Sequence, residues 1–319
     1  MAQVNTVLGP IHSEEMGVTM CHEHITWGPP GWQDDPEWWF HYPKVYSKCL
    51  ADMVDLRNHG GQTIVDCAGI GFGRDIEFYR MLSLYSGVNV VVPTGFWAGV
   101  GVYNYFLEKD MTYLVDLMIK ELTEGIGDTG IKAGFIKVGL GDGHTSDFDV
   151  LLHRAAARAA KETGCSITTH AAWEGLMVLK IFEEEGLDLD RVIVAHCAHN
   201  HAMDLERDKV MAKMGAWVSY DSFTVEPSWA VTHYAQADEV RADAVKGFID
   251  AGYIDRLLLS SDNNLFSFGW SRSSPYAGKT TQADFMRNTP GNLRRVGIEE
   301  ETFWKVMVEN PKKVIPLVN

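Results

Sequence analysis

Met20-Cys21-His22-Glu23-His24-Ile25 closes an apolar run that starts at Gly17-Val18-Thr19. Successive side chains of a β-strand alternate between faces, so His22 and His24 point one way and Glu23 the other. Two imidazoles on one face can grip one metal ion. The run then feeds an aromatic, Gly/Pro-rich loop, Trp27-Gly28-Pro29-Pro30-Gly31-Trp32, which reads as a buried strand opening into a pocket.

Comparable apolar runs recur at 62–67, 89–95, 133–139, 165–170, 191–196, 217–222 and 256–262, giving eight short strands generally rich in Val, Ile or Leu. That composition suits parallel strands buried on both faces. Helical patterns lie at 46–59, 74–86, 110–124, 149–163, 174–185, 203–214, 238–252 and 297–309. The alternation predicts an α/β fold, a (β/α)8 TIM barrel, as one domain over 1–319 with 1–16 as a leading segment. The rival is a doubly wound sheet, but no Gly-x-Gly-x-x-Gly turn follows the first strand. Gly69-Ile70-Gly71-Phe72-Gly73 after the second reads as an ordinary βα loop.

Three connections are long, at 26–45, 96–109 and 263–296, and all carry aromatic residues. Each leaves the C-terminal end of a strand, so they should gather over one mouth of the barrel and wall an apolar pocket. Loop-to-loop packing or a subunit interface is the alternative use of these rings.

Composition narrows the partners. A formal net charge of −15 argues against nucleic acid or an anionic membrane surface and favours a small neutral substrate. No apolar run is long enough to span a bilayer and the Met-Ala-Gln-Val-Asn start lacks signal-peptide character, so a cytoplasmic location is expected. Five cysteines without a Cys-x-x-Cys pair indicate neither a disulfide framework nor a zinc knuckle.

Polar groups stand at the strand ends: His22, His24, Lys137, His170, His196 and Asp262. In a barrel whose metal centre lies at the C-terminal ends of the strands, these dispersed positions converge. Imidazole and carboxylate suit a divalent ion, zinc first, with manganese, iron or cobalt also acceptable. Four histidines and an aspartate exceed what one catalytic ion needs, so two ions, roughly 3.5–4 Å apart, fit better. Lys137 as an ammonium beside two cations would be repelled and desolvated. It is therefore neutral, or carboxylated by carbon dioxide to a bridging carbamate, or else a Schiff-base lysine of aldolase type. The four histidines favour the metal readings.

The set Thr6-Val7-Leu8-Gly9-Pro10, Met16-Gly17-Val18-Thr19, His22-Glu23-His24, Ala133-Gly134-Phe135-Ile136-Lys137, Thr169-His170, Ala195-His196, Ser261-Asp262 and Asn310-Pro311-Lys312-Lys313 closely resembles the phosphotriesterase family of the amidohydrolase superfamily. The resemblance runs nearly end to end. It implies a binuclear centre in which His22, His24 and Asp262 hold one metal, His170 and His196 the other, with carboxylated Lys137 and a hydroxide bridging them. It also implies a homodimer that hydrolyses lactones, carboxylic esters or phosphotriesters. One ion would polarise the carbonyl or phosphoryl oxygen while the shared hydroxide attacks, with Asp262 taking its proton and passing it toward the leaving group.

The substrate shell departs from the lactonase-like pattern. His196-Cys197-Ala198-His199-Asn200 replaces His-x-Gly-Asp, Asp221-Ser222 replaces Asp-Arg, and Trp97 stands where a Tyr is frequent. Homoserine-lactone specificity is therefore not expected, and the tryptophans of the 26–45 loop suggest a bulkier, apolar or aromatic substrate. Trp27, Trp97, Ser222 and Trp270 are the candidate substrate-binding residues, with Asp262 and Lys137 as the catalytic pair. His199 and His201 read as solvated loop histidines, or else as proton shuttles. The expected activity is hydrolysis of a neutral lactone or ester with phosphotriesterase side activity; an organophosphate hydrolase and a non-catalytic metal-binding barrel are the alternatives.

Overall fold

The computed structural model of the chain describes residues 2–35, 41–97, 101–141, 145–199, 202–224, 237–268 and 280–318. An antiparallel hairpin of β1 (Gln3–Thr6) and β2 (Gly9–His12) precedes the barrel strands. These are β3 (Thr19–Trp27), β4 (Thr63–Asp66), β5 (Asn89–Val91) continuing as β6 (Pro93–Thr94), β7 (Phe135–Gly139), β8 (Ser166–His170), β9 (Val192–Ala195), β10 (Trp217–Tyr220), and β11 (Leu257–Leu259) continuing as β12 (Asn264–Ser267). Helices Tyr42–Asn58, Ile76–Ser86, Met111–Thr123, Asp147–Thr163, Gly175–Glu184, Leu205–Met214, Asp238–Asp250 and Gln282–Arg295 follow the successive strands. All pairings between barrel strands are parallel. The arrangement is the expected (β/α)8 fold.

The ladders form two arcs, one in the order β11-β10-β9-β8-β7-β6 and one in the order β12-β3-β4-β5. The arcs share the third strand segment, broken at Val92, and the eighth, broken between β11 and β12. Backbone hydrogen bonds span the eighth-to-first seam from Asp262 N to His22 O (3.1 Å), from His24 N to Asn263 O (3.0 Å) and from Phe268 N to Trp27 O (2.6 Å).

Two cores sit on opposite faces of the strands. Ile136, Val138, Ile167, Val192 and Val194 face the helices. Cys21, Val65, Cys67, Phe135, Ile193, Trp217 and Leu258 fill the interior, joined by Val4 of the hairpin and by Val314 and Ile315 near the C-terminus. The alternation along β7 thus puts Phe135, Lys137 and Gly139 inside. On β3 a register shift between Met20 and Glu23, opposite Ile64 and Asp66, inserts one extra residue. This bulge lets both Cys21 and His22 serve the interior, which strict alternation forbids.

The 263–296 connection is not loop throughout. Gln282–Arg295 is a helix, capped by Thr281 and Asp284, and it carries Pro290 inside. Pro290 removes one helical N–H, and buried Phe285, Met286, Thr289 and Leu293 hold the helix against the barrel and outweigh that loss. The 297–309 pattern resolves into Glu300–Trp304 and a π-turn, Lys305–Glu309. No helix among the described residues is long and apolar enough to cross a membrane.

Candidate metal centre

The strand ends bring together the side chains singled out from the sequence. Lys137 Nζ lies 3.1 Å from His22 Nε2. Asp262 Oδ1 lies 3.3 Å from His24 Nε2 and 3.8 Å from His22 Nε2, while its Oδ2 is 3.5 Å from His196 Nδ1. His170 and His196 meet edge to face at 4.1 Å between ring centroids, and His22 and His196 at 4.6 Å. All are buried except Asp262, whose side chain keeps 19% of its surface exposed and so faces the mouth.

Three carboxylates absent from the sequence-derived set hold these groups. Asp221, directly after β10, accepts from His196 N (2.9 Å) through Oδ2, and its Oδ1 lies 3.0 Å from His196 Nδ1. Asp66, at the end of β4, accepts from Ile25 N (2.6 Å) and Ala68 N (2.9 Å), fixing the strand beside His24. Glu23 accepts from Ser260 Oγ, Ser261 N, Ser261 Oγ and Asn263 N. Their signal was present in the sequence, since each stands within or directly after a strand run, but nothing local says which neighbour a buried acid will reach. Backbone strain concentrates at the same ends: His196, Ser222, Thr224 and Asp262 are non-glycine residues at positive φ.

Electrostatics follow from burial. Burial, then the charge of Lys137 and the other imidazoles, holds the His22 pKa well below its usual range; burial, His196 and Lys137 do the same for His170. Both rings are therefore neutral and available as donors. Burial also lowers the Lys137 pKa, against the pull of Cys67, Asp262 and Asp221, which favours the free amine. For Asp221 burial acts upward, but His196 and His199 outweigh it and keep the carboxyl ionised. Burial pushes Glu23 up to about 7 and Asp66 to about 6, opposed by the hydrogen bonds each accepts and, at Asp66, by His24.

An aromatic wall flanks the centre. Trp97 packs on His170 at 4.1 Å and stacks on Phe72 at 5.2 Å, and Phe72 reaches Trp27 at 6.3 Å. Gly139 is what lets Trp97 approach, because a Cβ there would lie 2.5 Å from Trp97 Cδ1 and 2.8 Å from His170 Cβ. Phe72 escaped the sequence reading because its loop offered only glycines as a signal. The long connections do meet: Trp32 stacks on Phe268 at 4.0 Å, and Tyr103 Oη accepts from Gly31 N.

Ser222 is buried, with Oγ 2.6 Å from His199 Nε2. His199 is not a solvated loop histidine: it is fully buried, stacks on His196 at 4.3 Å and lies 3.9 Å from Asp262 Oδ2. The tight turn after β9 folds it back over the interior, where His196 and Ser222 receive it. His201 and Trp270 lie outside the described residues.

The donor set fits a metal centre on its own chemistry. Ligand atoms of His22, His24 and Asp262 lie within 4.8 Å of one another, as do those of His196, His199, Asp221 and Asp262. Buried His22 Nδ1, His24 Nδ1, His170 Nε2 and His196 Nε2 have no hydrogen-bond partner among the described residues. Each such atom costs roughly 1–3 kcal/mol when left unsatisfied, so a cluster of them is expected where cations satisfy neutral imidazoles.

Comparison with known proteins agrees with this geometry. The chain is 29% identical to a "Phosphotriesterase homology protein" of Mycobacterium tuberculosis over 98% of each chain, and 28% identical to an "Aryldialkylphosphatase" of Saccharolobus solfataricus over 95% of this chain and 96% of that one. It is 26% identical to an "N-acetyltaurine hydrolase" of Danio rerio over 98% and 97%. A solved structure from "Molecular Engineering of Organophosphate Hydrolysis Activity from a Weak Promiscuous Lactonase Template" superposes with a TM-score of 0.89 at 28% identity, covering 99% of this chain and 100% of that one. The phosphotriesterase family profile matches residues 2–315, and with it the chain belongs to the phosphotriesterase family and is a hydrolase.

Proposed function

We propose that residues 1–319 form one catalytic domain that hydrolyses a small, neutral lactone or carboxylic ester with apolar or aromatic substituents. The observation that carries this reading is the meeting of four imidazoles, Asp262 and a buried lysine beside the Trp97–Phe72–Trp27 wall. His22, His24 and Asp262 would hold one divalent ion and His170 and His196 a second, with Lys137 bridging as its carbamate. The ions, zinc first and manganese, iron or cobalt next, would supply Lewis-acid polarisation of the scissile group and activation of water at neutral pH.

The chain's own residues do the rest. Asp262, half turned toward the mouth, takes a proton on its carboxylate and returns it to the leaving oxygen. Asp221 holds His196 in one orientation through two contacts, as carboxylates do for ligating imidazoles. Trp97, Phe72 and Trp27 cover the acyl or aryl portion and keep bulk water from it. The net charge of −15 supports a neutral substrate. Lys137 loses a proton and gains carbon dioxide at Nζ to become the carbamate, a step favoured by the lowered pKa of its amine.

Phosphotriester hydrolysis is the second reading, favoured by the names of the Saccharolobus relative and of the engineered lactonase. We further place the protein in the cytoplasm as a homodimer; its five free, buried thiols suit a reducing compartment. The test is a panel of lactones, aryl esters, paraoxon-type triesters and an N-acyl aminosulfonate, assayed on protein carrying about two metals per chain. Lactone or aryl-ester turnover above the rest is expected. Turnover of none, or of the aminosulfonate alone, would overturn the proposal.

A further inference from the structure

Glu23 sits between two candidate ligands yet faces away from them, fully buried, toward the eighth strand. Its Oε1 accepts from Ser260 Oγ (2.7 Å) and Ser261 N (2.7 Å), its Oε2 from Ser261 Oγ (2.7 Å) and Asn263 N (3.1 Å). Between the two backbone donors stands Asp262, whose own N–H reaches His22 O. Three successive N–H groups, 261 to 263, therefore point at the first strand. A residue in the left-handed region can turn the amides on either side of it toward one acceptor, as in the backbone nests that cradle anions; here Ser261 N and Asn263 N both reach Glu23. Asp262 has φ +52°, and the anion it curls around is the Glu23 carboxylate. Ser260 extends the tie, since its Oγ also accepts from His22 N (2.9 Å).

We propose that Glu23 is the positioning residue of the centre: its carboxylate holds residues 260–263 in the turn that aims Asp262 at both His24 and His196. The inference rests on Asp262 being a metal ligand. A non-glycine residue left without the nest has reason to leave the left-handed region, and its carboxylate would then swing off the 3.3 Å and 3.5 Å contacts. The ion shared by His22, His24 and Asp262 should suffer first, while the His170–His196 side, which Glu23 does not touch, should not.

Glu23→Gln tests this at constant size, because an amide nitrogen must face a backbone N–H that cannot reverse. Ser261→Ala, which removes a single hydrogen bond, is the milder companion should the first variant fold poorly. Stepwise zinc affinities by chelator competition, metal content by elemental analysis and melting of the metal-free protein are read together. Expected is one site weakened about 10- to 100-fold in Glu23→Gln, a smaller loss at that site in Ser261→Ala, and the second site unchanged in both. Wild-type affinity at both sites in either variant, or equal loss at both sites with a lowered metal-free melting temperature, overturns the role given to Glu23. Wild-type protein that takes up no metal overturns the ligand assignment beneath it.

Discussion

The two flanks of the metal centre are held by different forces. On the side of strands one, two, six, seven and eight, buried carboxylates reach across to the next strand: Glu23 to 260–263, Asp66 to Ile25, Asp221 to His196. On the side of strands three to five, His170 is wedged by rings, with Trp97 at 4.1 Å and Trp173 at 5.4 Å, over a glycine that leaves room for them. Hydrogen-bonded carboxylates specify direction and respond to charge; aromatic packing specifies distance and responds to volume. One side of the site should thus be broken by proton and amide substitutions, the other by methyl groups.

Asp262 meets imidazoles from both ends of the carboxylate flank, His24 and His196, so Asp262→Ala should have the largest effect, a fall in kcat of about 10³-fold, measured on the best panel substrate with metal content confirmed. Activity within tenfold of wild type would remove Asp262 from the centre of the comparison. On the carboxylate side, Asp208 packs behind the sixth and seventh strands against Arg207 and Tyr220 Oη, and burial raises its pKa from 3.8 to about 6 despite Arg207. The folded protein thus keeps a proton that the unfolded chain releases. The stabilisation is full below about pH 3.8 and is lost as pH rises through about 6, on the order of 2–3 kcal/mol. Urea midpoints from pH 4 to 7 should fall less steeply in Asp208→Asn; parallel curves would remove the charge sensitivity claimed for this flank.

On the aromatic side, Gly139→Ala should cost about 1–3 kcal/mol by overpacking, lowering the melting temperature by the same amount at every pH and reducing kcat/KM. A variant as stable as wild type would mean that Trp97 can yield, and the flank is looser than described. The smallest effect belongs to Trp97→Ala. Loss of its ring contacts, about 0.5–1.5 kcal/mol, should raise KM for aryl esters roughly 3- to 10-fold and leave alkyl lactones nearly unchanged. Equal changes for both substrates would show that the wall shapes the site without touching the substrate.

The strand and helix rhythm was readable because burial on both faces leaves runs of Val, Ile and Leu that stand out against amphipathic helices. The helix Gln282–Arg295 was not, because Pro290 is a local veto that only burial of Phe285 and Leu293 overrides. That His22, His24, Lys137, His170, His196 and Asp262 gather at one rim was readable because metal chemistry restricts the residue types of candidate ligands, and a barrel restricts place.

What the chain's order of residues determined by itself is the barrel and the kind of atoms offered at its rim, since both depend on composition and period. Tertiary structure decided which groups aim those atoms. The β3 bulge turns Cys21 and His22 inward together, Glu23 grips a turn more than 230 residues away, and His199 lies under the mouth. Those outcomes depend on which buried donor lies nearest to which acceptor, a distance that no single stretch of chain contains.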